Sequence, residues 1–331
     1  MYTPLPHATP ISEQVWPLGT VPLVSVATLS YNHEPYIGRC LEGILMQLTT
    51  FPVKIVIFED CSTDKTASII LSYEEKFPNL FITFFQPINS FGTPKFREAL
   101  KPFFAARNIA KYIALCEGDD FWTDPLKLQK QVDLMEKYDN ASLCVALNMQ
   151  YNNDLCVEKI DEKYEGDNFP LIYFENLHTY FHTSTYLIRK TALIFVMDKY
   201  ESLLLGDTSL RFLLINEGPF VVLNDVVSVY RITGSGIWTS LDDYTKDLQH
   251  HNIYNKFRKL HVKERRQFYA KREIMFLLRL IEAELERKNY KVAIPQIGQI
   301  LKLTLQYDQL HLPKYFYNKI KRLFSVSRIS K

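Results

Sequence analysis

The chain has 331 residues, enough for one large domain or two modest ones, and its 47% hydrophobic and 23% charged content are those of an ordinary soluble globular protein. A net charge of +2, with no basic stripe interleaved with aromatic residues, argues against nucleic acid as a partner. Five cysteines, Cys40, Cys61, Cys116, Cys144 and Cys156, show no CxxC spacing and several stand in apolar runs, so they read as reduced core thiols of a cytosolic protein.

Residues 1–20 are proline-rich and lack a basic start followed by an apolar run, which reads as an irregular lead-in along the domain surface and not as a secretion signal. No apolar run approaches the roughly 18 residues that span a bilayer, so any membrane contact is expected to be peripheral. Val21 to Leu29 is a β-branched, apolar strand ending in Ser30-Tyr31-Asn32-His33-Glu34-Pro35. A helix follows with Ile37, Leu41, Ile44 and Leu45 on one face. The pattern repeats at once: strand Val53 to Phe58, polar turn Glu59 to Asp64, helix Lys65 to Lys76, then a third strand from Leu80 to Phe85. Strands alternating with helices imply right-handed crossovers and a doubly wound, mostly parallel sheet.

Between Gln86 and Lys111 stand Asn89, Gly92, Arg97, Arg107 and Asn108. Arginine suits a phosphate, but either arginine equally suits a solvated helix face. No GxGxxG or Walker-type loop appears, so a nucleotide here needs another counter-charge. A metal could supply one at the turn where Tyr112 to Cys116, a buried strand, runs into Glu117-Gly118-Asp119-Asp120 before Pro125 opens a helix. Crowded carboxylates repel unless a hard cation or hydrogen-bond donors compensate, and Mg²⁺ or Mn²⁺ carrying phosphate oxygens is the natural partner. The plainer alternative is a solvated acidic loop, with Asp124 capping the next helix.

Beyond the helix Lys127 to Tyr138 come a strand at Leu143 to Leu147, a loop-rich segment with Asp154, Asp161 and Asp167, and a strand at Thr185 to Ile188. Asp207 opens an amphipathic helix, where capping is the default role of an aspartate. Val226 to Tyr230 is a further strand, and Arg231 to Trp238, with Gly234 and Gly236 around Ser235, reads as a flap. From about Leu241 the chain turns helical, with Ile274, Leu277, Leu278, Ile281 and Leu285 on one face. Its end carries Lys314, Lys319, Lys321, Arg322, Arg328 and Lys331 against Phe316, Ile320, Leu323 and Phe324, a basic amphipathic pattern that suits an anionic membrane surface or the chain's own domain.

Taken in order, these motifs resemble the family 2 glycosyltransferases over Pro22 to Trp238. Ser25 to Asn32 is similar to the family's first strand and Tyr-Asn loop, and Ile57 to Asp64 to its second strand and aspartate-serine turn. Ala106-Arg107-Asn108 and Glu117-Gly118-Asp119-Asp120 are similar to its Ala-Arg-Asn and acidic metal motifs. The resemblance implies an α/β fold of GT-A type, a doubly wound, mostly parallel sheet with a C-terminal helical extension. The chain would divide into a lead-in at 1–20, a catalytic domain at 21–240 and a helical region at 241–331.

The activity implied is inverting transfer of a sugar from a nucleoside-diphosphate donor, a UDP-sugar, to a hydroxyl of a glycan or lipid-linked acceptor, with Mg²⁺ or Mn²⁺. Ser30, Tyr31, Asn32, Asp60, Arg107 and Asp119 would bind the nucleotide, with Tyr31 stacked on the base and Asp60 accepting a hydrogen bond from it. Glu117, Asp119 and Asp120 would hold the metal, Asp207 would be the general base, and Trp122, His182 and Trp238 would face the acceptor. The implied setting is the cytoplasm, at the inner face of the cell membrane if the basic end binds lipid. Two departures stand out: Glu117 replaces the family's usual aspartate, and Thr233 stands where many members have a histidine. They support the alternative of a non-catalytic nucleotide-sugar binder or scaffold in a polysaccharide assembly. A sugar nucleotidyltransferase wants a glycine-rich, lysine-bearing loop after the first strand, and Tyr31-Asn32-His33-Glu34 is not that loop.

Overall fold

The structure, a computed structural model, describes residues 3–152, 155–159, 171–174, 181–200, 206–234, 236, 238–260 and 263–307. It divides into two compact units, 1–233 and 234–331. In the first, the lead-in is tied down more firmly than its composition suggested: β1 (Thr9–Pro10) pairs with a later short strand, and Ile11 is fully buried.

The body of this unit follows in chain order as β2 (Val24–Ser30), α1 (Ile37–Leu45), β3 (Leu48–Thr49), β4 (Val53–Glu59), α2 (Thr66–Lys76), β5 (Phe81–Phe85), α3 (Phe96–Arg107), β6 (Tyr112–Leu115), β7 (Phe121–Trp122) and α4 (Lys127–Lys137). Then come β8 (Leu143–Asn152), β9 (Leu155–Lys159), β10 (Leu171–Ile172), β11 (Leu187–Arg189), α5 (Lys190–Tyr200), α6 (Asp207–Glu217) and β12 (Phe220–Ile232). The main sheet has the order β10-β12-β8-β11-β6-β2-β4-β5, with β7 added beside β12 and β9 beside β8. Strands β5, β4, β2 and β6 run parallel, as does the pair β8 and β12, whereas β11 is antiparallel to both its neighbours.

Near-continuous burial along β2, β4 and β6 explains their unbroken apolar sequences, because helices cover both faces of a parallel sheet. Parallel order also places the carboxyl ends of β2, β4 and β6 on one edge, so Tyr31-Asn32, Glu59 to Asp64 and Glu117 to Asp120 emerge together. Asp154, Asp161 and Asp167 lie outside the described residues, as does the basic chain end at 308–331. The described cysteines Cys40, Cys61, Cys116 and Cys144 are free thiols.

One core residue escapes the binary pattern. Lys127, at the first turn of α4, is fully buried, with Nζ donating to Gln131 Oε1 at 2.7 Å and lying 4.1 Å from the centre of the Trp122 ring. Burial pulls its pKa down to about 7. An unfolded lysine titrates near about 10.4. Below the lower value both states are protonated, and above the upper one neither is. Between them only the unfolded chain holds the proton, so stability rises with pH across that window. Comparing melting temperatures of the wild type and Lys127→Met from about pH 7 to about pH 10 should show the balance moving steadily toward the wild type. A difference that does not change with pH would refute the buried-lysine account.

The second unit contains α7 (Asp243–Leu260), α8 (Lys263–Glu286) and α9 (Tyr290–Gln306). Ile274, Leu277, Leu278 and Ile281 of α8 bury against Ala293, Ile300, Leu303 and Tyr307, with Leu285 at the margin, which is the face read from the sequence. Glu273 is buried there because Arg258 Nε (2.6 Å) and Gln299 Nε2 (2.9 Å) satisfy its carboxylate. No helix among the described residues is long and apolar enough to cross a membrane.

Candidate active site

The site begins with two loops that clasp each other. Asn32, in a left-handed conformation at φ 53°, donates its N–H to Ser62 Oγ at 2.9 Å, and its Oδ1 accepts from Thr63 N at 2.8 Å. His33 N donates to Thr66 Oγ1, Glu34 N to Asp64 Oδ2, and Lys65 N to Glu34 Oε2. Beneath them Glu59 accepts from Cys61 N and Ser62 N, holding the turn at the end of β4. Tyr31 projects from this frame with its ring half exposed, while Ser30 is buried with its hydroxyl unbonded.

Asp60 is buried, and its carboxylate is already engaged. Oδ1 accepts from Ser90 N and Ser90 Oγ, and Oδ2 from Phe91 N, so its immediate work is to shape the loop after β5. Arg107 makes no ion pair with a carboxylate among the described residues. Its guanidinium lies over the Phe104 ring at 4.2 Å and donates to Met197 Sδ at 3.2 Å, and burial lowers its pKa to about 9.

Glu117, Asp119 and Asp120 place carboxylate oxygens within 4.8 Å of one another at the end of β6. Gly118 is required between them: a Cβ there would lie 2.6 Å from His33 Nδ1 and 3.1 Å from Ser30 Oγ. That close approach brings the Tyr-Asn loop against the acidic turn, and His33 Nε2 stands 4.0 Å from Asp119 Oδ2. Asp120 is buried; Oδ1 accepts from Arg231 N at 3.0 Å, and Oδ2 accepts no hydrogen bond. Burial, then the charges of Asp119 and Glu117, push the Asp120 carboxyl well above the usual range.

Glu117 keeps solvent access, yet the protein crowded around it, and after that the charges of Asp119 and Asp207, raise its pKa to about 8. Such a set either takes up protons or takes up a cation. Three hard oxygen donors, one buried and without a donor of its own, fit Mg²⁺ or Mn²⁺.

Asp207 comes to the same place from a distant part of the chain. Gly206, at φ 117°, makes the turn into α6 that a residue with a side chain would strain to adopt, and Asp207 Oδ1 accepts from Thr208 N at 2.6 Å. Its charge acts on Glu117, on His182 and on Tyr230. The Tyr230 hydroxyl is pushed up to about 12 by burial and then by Asp120, Asp119, Glu117 and Asp207, so one phenol senses all four acids.

The three residues expected at the acceptor part company. Trp122 is a core residue, 1% exposed, with Nε1 donating to Ser184 O at 2.9 Å, so its ring has no face left for an acceptor. His182 does lie at the site, stacked on Tyr230 with ring centres 4.1 Å apart and with Nδ1 3.6 Å from Asp120 Oδ2. Burial lowers its pKa to about 4, which leaves it neutral. Trp238 belongs to the second unit, half exposed and edge-on to His250, and Ser235 and Ile237 of the expected flap lie outside the described residues.

Arg231 was missed. Besides its backbone bond to Asp120, Nη1 donates to Asp119 O at 2.6 Å, and the guanidinium lies 4.7 Å from the Tyr36 ring centre and 5.0 Å from that of Phe121. Its one signal in the sequence is its place at the end of the strand that leads to the glycine pair.

Residues 25–198 match the sequence model of glycosyl transferase family 2, more than half of the chain. The chain belongs to glycosyl transferase family 2. The chain is similar to an uncharacterised protein of Mycobacterium tuberculosis, 42% identical over 121 residues, which are 37% of this chain and 34% of that one. A Bacillus subtilis protein named as a teichuronic acid biosynthesis glycosyltransferase, TuaG, is 34% identical over 115 residues, covering 34% of this chain and 42% of its own. These matches span about a third to two fifths of the relatives' lengths. The crystal structure of S. aureus TarS 1–349 in complex with UDP superimposes with a TM-score of 0.51 at 16% identity, covering 86% of this chain and 91% of TarS 1–349. The family's GT-A architecture thus accounts for the mixed sheet and its parallel β5-β4-β2-β6 half.

Proposed function

We propose that this chain transfers a sugar from a nucleoside-diphosphate donor to a hydroxyl group of a glycan or lipid-linked acceptor, with inversion at the anomeric carbon. The observation that carries the reading is that Glu117, Asp119 and Asp120 cluster with one buried carboxylate oxygen that accepts no hydrogen bond, and that the charge of Asp207, about ninety residues on in the sequence, reaches Glu117 and Tyr230 beside them. UDP is the donor nucleotide we favour, since UDP is what TarS holds, and a cell-surface glycan is the class of product that TuaG's name suggests.

In this reading Tyr31 stacks on the base from the clasped loops, with Ser30 and Asn32 shaping its edge and Asp60 fixing the loop beside it. Glu117, Asp119 and Asp120 hold Mg²⁺ or Mn²⁺, which when bound supplies positive charge against the leaving diphosphate. Asp207 accepts the proton of the incoming hydroxyl as the new glycosidic bond forms and the bond to the diphosphate breaks. One base, on the face opposite the leaving group, is what makes the outcome inverting. Neutral His182 and the Tyr230 hydroxyl border the acceptor side. Arg107, among apolar partners, is the weakest of the proposed nucleotide contacts. We place the enzyme in the cytoplasm, at the inner face of the cell membrane, where a lipid-linked acceptor is reached.

The test is a panel of UDP-sugars with and without Mn²⁺, read by melting temperature and by release of UDP. A donor that binds only the native state raises the melting point, by an increment that grows with its concentration over Kd. The expected result is a Mn²⁺-dependent shift with at least one UDP-sugar, accompanied by slow UDP release. A shift without release, in the presence of candidate acceptors, would favour the non-catalytic binder. No shift with any of them would reject the reading.

A further inference from the structure

Helix α9 is apolar on two adjoining faces. One is spent inside the second unit, where Ala293, Ile300, Leu303 and Tyr307 pack on α8. The other looks outward: Tyr290, Ile294, Leu301 and Leu305 are spaced i, i+4, i+11 and i+15, so they fall within about 60° of one another along about 22 Å of helix. Ile294 is 64% and Leu305 77% exposed, and Tyr290 and Leu301 are exposed as well. Four large apolar side chains in one stripe are more than the scattered surface leucine that needs no explanation.

Charge identifies the partner. The helix contains no aspartate or glutamate, and Lys291 and Lys302, both exposed and in no ion pair among the described residues, fall within about 20° of each other along one border of the stripe. From Arg287 to the end of the chain there are ten lysines and arginines and a single acid, Asp308. A protein interface would want acids and hydrogen-bond partners mixed into such a surface. An apolar stripe with lysines along one border, on a helix without acids, fits the boundary between acyl chains and anionic headgroups.

We propose that the outer face of α9 is the element that seats this enzyme on an anionic membrane, with Tyr290, Ile294, Leu301 and Leu305 entering the headgroup boundary and Lys291 and Lys302 meeting lipid phosphates. The inference deepens the peripheral membrane contact in the reading above by assigning it to a described helix.

The experiment is co-sedimentation of the full chain with vesicles of phosphatidylcholine alone and of phosphatidylcholine mixed with phosphatidylglycerol. The wild type should bind the mixed vesicles and be released by salt. Leu301→Glu combined with Leu305→Glu should weaken binding by about tenfold or more, since two leucines lose their burial. Lys291→Glu with Lys302→Glu should remove most of the preference for phosphatidylglycerol. Both positions in each pair are exposed, so melting temperatures should hold, and release of UDP in solution should equal that of the wild type. Wild-type protein that ignores the mixed vesicles, or a double glutamate variant that binds them as well as wild type, overturns the assignment. So does a shift from dimer to monomer in that variant with lipid binding intact, which would make the stripe an interface between copies. UDP release in solution separates this result from the glycosyltransfer reading, which survives or fails by itself.

Discussion

Asp207→Asn is expected to lower the rate of sugar transfer by about 10²- to 10⁴-fold, the usual span for loss of a general base, while leaving donor affinity within a factor of about two. Asparagine keeps an oxygen that can accept from Thr208 N, so the start of α6 should be preserved. The readout is initial rate of product formation beside donor binding by calorimetry. A second consequence follows from charge. Asp207 is one of the groups that hold the Glu117 pKa at about 8, so its neutralisation should move that pKa down, visible as a displaced carboxyl titration by NMR. Unchanged turnover would remove Asp207 from the chemistry and return it to a helix-capping role.

The other large effect is expected at the acidic turn. Asp119→Asn and Asp120→Asn should each abolish the Mn²⁺-dependent part of donor binding, weakening it by more than the about 10- to 100-fold that loss of a merely supporting partner costs. The melting temperature without cation should move the other way. Burial and the neighbouring carboxylates disfavour the charged Asp120, so a neutral amide that still accepts from Arg231 N relieves repulsion and leaves the apoprotein as stable or more so. Loss of the cation-induced thermal shift with an unchanged or higher starting point distinguishes a broken ligand set from a broken fold. If both variants bind donor with the same Mn²⁺ dependence as wild type, the cation is held elsewhere.

What could be read in advance follows from where the information lies along the chain. Strands β2, β4 and β6 and the helices after them were legible because each buries an apolar pattern that is local in sequence, and their parallel order then put three polar turns on one edge. The far half of the sheet was less legible. β12 extends from Phe220 to Ile232, well beyond the apolar run at Val226 to Tyr230, and its register slips between Leu223 and Val226 and again before Ser228. Such irregularities leave no period-2 signal.

The resemblance puts Trp122 at the acceptor, but it stands in β7, which pairs with β12, and its side chain is buried. Arg231 meets Asp120 across 111 positions, and His33 meets Asp119 through the space that Gly118 vacates. Neither pairing has a local signature. Lys127 was unreadable for the opposite reason: its position in the helix is ordinary, and only the packing of Trp122 and Gln131 around it makes it a core residue.

The interlocked turns after β2 and β4 carry a consequence for selectivity. With Asn32 bonded to Ser62 and Thr63, and Glu34 to Asp64 and Lys65, the platform beneath Tyr31 is rigid before anything arrives. In the proposed reading, a base stacked on that ring forfeits little entropy for ordering the host, and whatever does not match the existing outline is turned away at no conformational expense to the protein. Substitutions that retune choice of base should accordingly cluster in the unbonded rim around Tyr31, since a change to either turn would loosen its mate as well.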